Sequence, residues 1–179
     1  MPPSSTSAAP PLVIILMGVS GCGKTVVGKL LAADLGWEFV DADGHHPPEN
    51  VERMRRGIPL EDEHRWPWLD RLAGLVDAAL VRGPGSPGLV LACSALKRSY
   101  RDRIGAGRPG VRLVHLDGPE SLIRERIEQR TGHYMPASLL ASQCALLERP
   151  KDEESAITVG IAATPAEIAR DIRRAVAAG

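Results

Sequence analysis

The stretch Gly18–Thr25, GVSGCGKT, follows the apolar run Leu12–Met17, LVIILM, and opens into TVVGKLLAADLG. It matches G-x-x-x-x-G-K-[ST] in full, with Gly18, Gly23, Lys24 and Thr25 at the fixed positions. A strand before it and a helix after it are the context that this phosphate-binding loop requires. Glycines let backbone N–H groups converge on phosphate oxygens, and the helix N-terminus adds a favourable dipole. Lys24 reaches the β- and γ-phosphates, and Thr25 can ligate Mg²⁺. The chain is therefore expected to bind a nucleoside triphosphate.

Working outward, short apolar runs alternate with helical patterns. Leu12–Met17 is continuous rather than alternating, as in a strand buried on both faces. Trp37–Asp41, Leu89–Cys93, Val111–Asp117 and Ser155–Gly160 supply four more strands. Helices are expected over the segment closed by Gly36, over PPENVERMRRG, from about Arg65 to Val81, over ALKRSYRDRIGAG and over PESLIRERIEQR. The last helix opens on a capping box, Thr164 to Glu167, with Pro165 at its first position. This order predicts an α/β fold, a five-stranded parallel sheet with helices on both faces. Residues 132–154 fit the alternation poorly and read as an insertion.

The 179 residues suit one domain, residues 12–179, after a disordered tail of residues 1–11. Charges balance, 22 basic against 22 acidic, so the broad basic footprint of a nucleic-acid binder is missing. Three widely spaced cysteines, Cys22, Cys93 and Cys144, form no Cys-x-x-Cys and argue against a disulfide framework. The tail lacks a charged n-region, and Leu12–Met17 is too short to span a membrane. A cytoplasmic protein without a membrane or nucleic-acid partner is expected. A GTPase would read guanine with Asn-Lys-x-Asp, yet the sole asparagine, Asn50, precedes Val51. The third strand ends Cys93-Ser94 rather than in the acid usual for a motor. Size and insertion favour a small-molecule kinase.

Four blocks then agree: MGVSGCGKTVVG, FVDADGHHPPENVERMRRGIPLEDEHRWPWL, CSALKRSYRDRI and RTGHYMPASLLASQCALLERP. From about Leu12 to Ala175 the chain closely resembles gluconokinases of the small P-loop type. The D-x-x-H-P and C-S-A-L-K-x-x-Y-R-D blocks carry more of that resemblance than the phosphate loop, which many NTPases share. The resemblance implies a nucleoside-monophosphate-kinase-like fold and a mobile lid at about 132–150. It also implies a substrate region at about 42–68, transfer of the ATP γ-phosphoryl group to the 6-hydroxyl of D-gluconate, a Mg²⁺ requirement and a homodimer. Two positions depart from the family pattern, His64 before Arg65 and Gly160 at the end of the fifth strand.

Within that frame the nucleotide side comprises Gly18, Val19, Ser20, Gly21, Cys22, Gly23, Lys24, Thr25, Val26 and Pro165, with Arg126 and Arg130 closing from the lid. Those two arginines lie at i,i+4 and would neutralise transition-state charge as an arginine finger does, although Glu125 and Glu128 offer ordinary ion pairs. Asp41 and Asp43 stand at the carboxyl end of the second strand, where ligands bind in open α/β sheets. Asp43 is the candidate base for the attacking hydroxyl and a candidate Mg²⁺ ligand through water; Asp41 is as readily a structural cap. His46, by its match to the family, donates to substrate, whereas His45 is solvated. Arg53 and Arg65 are substrate contacts by family position, with a Glu49–Arg53 pair and the acidic segment Glu61–Glu63 as their competing partners. Lys97 and Arg101 at i,i+4 would repel each other on one helix face, so an anion such as gluconate's carboxylate is expected between them. His133 and Gln143 are assigned to substrate on resemblance alone. Shikimate-type or adenylylsulfate-type kinases, or a regulatory module without turnover, are the competing readings.

Overall fold

The computed structural model describes residues 12–129 and 138–178; the expected tail, residues 1–11, lies outside them. The strands are β1 (Val13–Met17), β2 (Glu38–Asp41), β3 (Leu89–Ala92), β4 (Val111–Asp117) and β5 (Ile157–Gly160). They form one sheet in the order β2-β3-β1-β4-β5. Every neighbouring pair is parallel. β1 lies in the middle and all five of its side chains are buried, which explains its unbroken apolar run. The register pairs Leu16 with Ala92 and Asp41 with Ala92. The carboxyl ends of β1, β2 and β3 are thus level, and whatever follows them is gathered at one edge.

The helices are α1 (Lys24–Leu35), α2 (Pro48–Arg55), α3 (Asp62–Arg82), α4 (Arg98–Arg103), α5 (Glu120–Glu128), α6 (Ser138–Leu146) and α7 (Pro165–Ala178). One face of the sheet packs Ile14, Leu16, Val90 and Val114 against Val27 and Leu31 of α1 and Ile168 and Ile172 of α7. The other packs Val13, Ile15, Leu91 and Leu113 against Trp68, Leu69, Leu72 and Val76 of α3 and Tyr100 and Ile104 of α4. The alternation of β1 residues between the two clusters is the two-residue period of a strand.

Three expectations change. α3 starts at Asp62, because Glu61 and His64 close a capping box at its N-terminus. There the His64 ring accepts the Glu61 N–H at 3.2 Å, as an acid at that position would. The segment expected as an insertion contains α6, whose Leu140 is buried in the first core, and a 3₁₀ turn at Asp152–Glu154. α4 starts at Arg98, three residues later than the sequence pattern suggests. Among the described residues no helix is long and apolar enough to cross a membrane.

Candidate active site

The turn after β1 holds Gly18 at φ 145°, and a Cβ there would lie 2.8 Å from both Cys22 Sγ and the Leu116 carbonyl oxygen. Gly23 caps α1 in the left-handed region, and no side chain caps the helix. Its first N–H groups consequently face an anion site. Lys24 Nζ donates to the carbonyls of Gly18 at 2.8 Å and Val19 at 3.0 Å. The cation is already curled over the loop whose phosphates it would meet. Val19 and Cys22 are buried and serve the loop through their backbone, whereas Val26 is half-exposed on α1.

Thr25 Oγ1 donates to Asp41 Oδ2 at 2.7 Å, and Asp41 Oδ1 accepts the Asp43 N–H at 3.1 Å. Asp41 therefore does two things at once. It joins the phosphate loop to β2, and it shapes the 3₁₀ turn Ala42–His45 that presents Asp43. Asp43 is the carboxylate expected to organise the metal; the one that touches Thr25 is Asp41. A D-x-D pair at a strand end is the signal from which this could have been read.

A cavity of about 380 Å³ runs from this loop to α3. Ser20, Gly21, Gly23, Lys24 and Thr25 form one wall, and Asp41, Asp43, His46 and Arg65 the other. Ser94, Met54, Leu60, Ser142, Gln143 and Leu146 are among the other residues that line it. His46 stacks on Trp68 with ring centroids 4.0 Å apart. Burial, then the positive charge of Arg65, holds the His46 imidazole down at about 4, so the ring is neutral at physiological pH. Trp68 also donates its indole N–H to the Ala42 carbonyl at 2.8 Å, supporting the acidic turn from beneath. Arg65 is 9% exposed. It donates through Nη2 to the Leu60 carbonyl at 3.3 Å, and its Nε has no partner among the described residues. A buried guanidinium with donors to spare on a cavity wall has the chemistry to receive an anion. Cys93 is no nucleophile: burial pushes its thiol up to about 12.

Other expected site residues stand elsewhere. Lys97 pairs with Asp62 at 2.8 Å. Its backbone is extended, at φ −93° and ψ 151°, so it caps α4 rather than joining it. Lys97 and Arg101 therefore do not share a helix face, because the i,i+4 relation holds only inside a helix. Arg101 points inward, fully buried, and binds Glu154 through Nε at 2.6 Å and Nη2 at 2.9 Å. Its Nη1 donates to the carbonyls of Ala95, Leu96 and Glu148. Each cation has its own carboxylate, and the expected anion site between them is absent. Arg53, near the end of α2, does not line the cavity, and no ion pair joins it to Glu49. Arg126 donates to the Ile161 carbonyl at 2.7 Å, in the β5–α7 connection that leads to Pro165, rather than lining the cavity over the phosphate loop. Gln143 accepts the Ser20 N–H at 2.6 Å, which ties α6 to the nucleotide side of the cleft. Arg130 and His133 lie outside the described residues. Two residues not expected in the site adjoin it: Ser94 lines the cavity and accepts the Gly18 N–H through its carbonyl, and Asn50 meets the His46 ring.

Comparison with known proteins agrees with this geometry. A family model described as an AAA domain matches residues 13–150. The chain is 43% identical over 165 residues to the thermosensitive gluconokinase of Escherichia coli (strain K12), covering 92% of this chain and 87% of that one. It is 46% identical over 149 residues to the gluconokinase of Gluconobacter oxydans (strain 621H), covering 83% and 82%. The crystal structure of a gluconokinase from Sinorhizobium meliloti 1021 superposes with a TM-score of 0.80 at 43% identity, covering 94% of this chain and 93% of that one.

Proposed function

Because the chain belongs to the gluconokinase family, we infer that it transfers the γ-phosphoryl group of ATP to the 6-hydroxyl of D-gluconate. The observation that carries this reading is the continuity of the cleft, in which the phosphate loop, the Asp41 and Asp43 carboxylates and the buried Arg65 guanidinium line one cavity. Phosphoryl transfer asks the protein mainly for positioning and charge neutralisation. On nucleotide binding Lys24 exchanges its two loop carbonyls for phosphate oxygens. The open N–H groups of the loop and of α1 hold the β-phosphate.

The donor set fits Mg²⁺, a hard cation that takes few protein ligands and keeps its waters and the phosphates. Thr25 Oγ1 and the Asp41 carboxylate, 2.7 Å apart beside the loop, are the groups that would hold it. When bound, the ion neutralises charge on the phosphate oxygens. Asp43, one turn further, orients the 6-hydroxyl and takes its proton. Arg65 supplies the cation for the substrate carboxylate, in place of the Lys97–Arg101 pair, and His46 donates to a hydroxyl. Residues 132–150 act as a lid, with Gln143 and Leu146 on the cavity wall; His133 falls within that segment and Arg130 just before it. The same reading makes the enzyme a cytoplasmic homodimer.

An ADP-release assay over gluconate, its epimers, other sugar acids and shikimate tests the reading. Gluconate should give the highest kcat/KM, and turnover should need a divalent cation. A preference for shikimate, or ATP binding without turnover on any acid, would refute it.

A further inference from the structure

Asn50 is the only asparagine in the chain, it is 3% exposed, and it stands in the first turn of α2, four residues after His46, whose backbone is extended. Its side-chain amide nitrogen is 2.7 Å from the His64 carbonyl oxygen and 3.4 Å from His46 Nδ1. Which end of an asparagine amide faces a neighbour is decided by the network around it. Here a carbonyl can only accept, so the atom facing His64 must be the NH₂ group. That group carries two hydrogens. One goes to His64, and the other is directed at His46 Nδ1, which must then be an unprotonated acceptor. A neutral imidazole has one N–H, so the proton of His46 resides on Nε2. The ring face is occupied by Trp68 and the Nδ1 edge by Asn50. Among the described residues no other group takes Nε2, and His46 lines the cavity.

We propose that Asn50 is a positioning residue for the acceptor substrate, fixing His46 as the Nε2–H tautomer so that the imidazole offers a single directed donor to a gluconate hydroxyl. The substrate half of this statement rests on the proposed gluconate site; the tautomer half does not. The geometry has a chemical consequence. A polyol hydroxyl can donate or accept, so a ring of mixed tautomers would bind it in two orientations. A ring with its proton fixed on Nε2 selects the orientation in which that hydroxyl accepts, and directs the hydroxyl's own proton elsewhere. Burial of the ring, and then the positive charge of Arg65 of α3, disfavour the imidazolium that would remove the choice.

The test begins with the unmodified, ligand-free enzyme at neutral pH. Long-range ¹H–¹⁵N correlation of the His46 ring should show Nδ1 bare and Nε2 protonated. A protonated Nδ1 overturns the proposal whether or not any variant folds. The second arm is Asn50→Asp, whose carboxylate accepts from Nδ1–H and should invert the ¹⁵N pattern. Gluconate KM should rise about tenfold or more, the loss expected for a stranded buried donor or acceptor. ATP KM should stay within about twofold, as expected for a residue that acts only on the acceptor side. Adding His46→Gln to Asn50→Asp should cost little more, because the two residues act as one unit. Equal rises in both KM values would make Asn50 merely structural. A bare Nδ1 with gluconate KM unchanged in Asn50→Asp would leave the tautomer standing and refute the role in substrate binding.

Discussion

Replacing Arg101 by methionine keeps the bulk of the side chain and removes its charge and donors. The guanidinium is fully buried and its partner Glu154 is 7% exposed. The variant deletes two hydrogen bonds to that carboxylate and three to the carbonyls of Ala95, Leu96 and Glu148. Among the described residues the Glu154 carboxylate then keeps the Lys151 N–H, at 3.1 Å, as its one remaining hydrogen bond. Removing one member of a buried ion pair costs about 3–5 kcal/mol, because the other charge is left uncompensated. For a domain of this size that corresponds to a fall in Tm of roughly 6–20 °C. Equilibrium denaturation in urea measures the loss. The double variant Arg101→Met/Glu154→Gln should recover a substantial part of it, since the stranded charge is gone. Hydrogen bonding to Arg101 is also the first cause that holds the Glu154 carboxyl below its usual range. Its contribution to stability is present above the unfolded pKa and is lost as pH falls through the folded one, so Arg101→Met should flatten the acid limb of the stability curve. Below the transition temperature, gluconate KM should change much less than the tenfold or more expected on losing a charge-assisted bond to substrate. Unchanged stability with a large rise in gluconate KM would refute this account and restore Arg101 to the substrate site.

Lys24→Ala should lower turnover by at least roughly 10²-fold with the fold intact, as for loss of a transition-state donor, and activity within tenfold of the parent would remove the loop lysine from the chemistry. Asp43→Asn should lower kcat by at least roughly 10²-fold, the low end for a positioned base, with a smaller effect on gluconate binding. Asp41→Asn should instead raise the Mg²⁺ concentration needed for half-maximal rate, and a metal titration that separates the two variants the other way would exchange their roles. His46 falls from 6.5 to about 4 on folding, so its contribution to stability is full above about pH 6.5 and is lost as pH falls toward 4. That contribution is at most about 3 kcal/mol. Thermal melts across that window should be less pH-dependent in His46→Gln, and identical slopes would show that the ring carries no linkage.

The phosphate loop was legible from the chain because it is local: eight consecutive residues specify a backbone shape, and glycines at set positions permit it. The five strands and the capping box from Thr164 to Glu167 were legible for the same reason, since periodicity and capping act within a few residues. In the structure the Thr164 N–H meets Glu167 Oε2 at 2.9 Å. The acceptor side was read less well. Lys97 and Arg101 looked like a helix pair, yet α4 begins after Lys97, and the partners of the two cations come from Asp62 and Glu154, 35 and 53 residues away. Asp41 looked like a cap as readily as a site residue, until the β2–β3–β1 register brought it against Thr25. A side chain's charge and hydrogen-bonding capacity are written in the sequence. Which group receives it depends on where strands and helices distant along the chain come to rest, and burial then decides whether a cation such as Arg101 is spent on the fold or one such as Arg65 keeps a donor without a partner among the described residues, on a cavity wall.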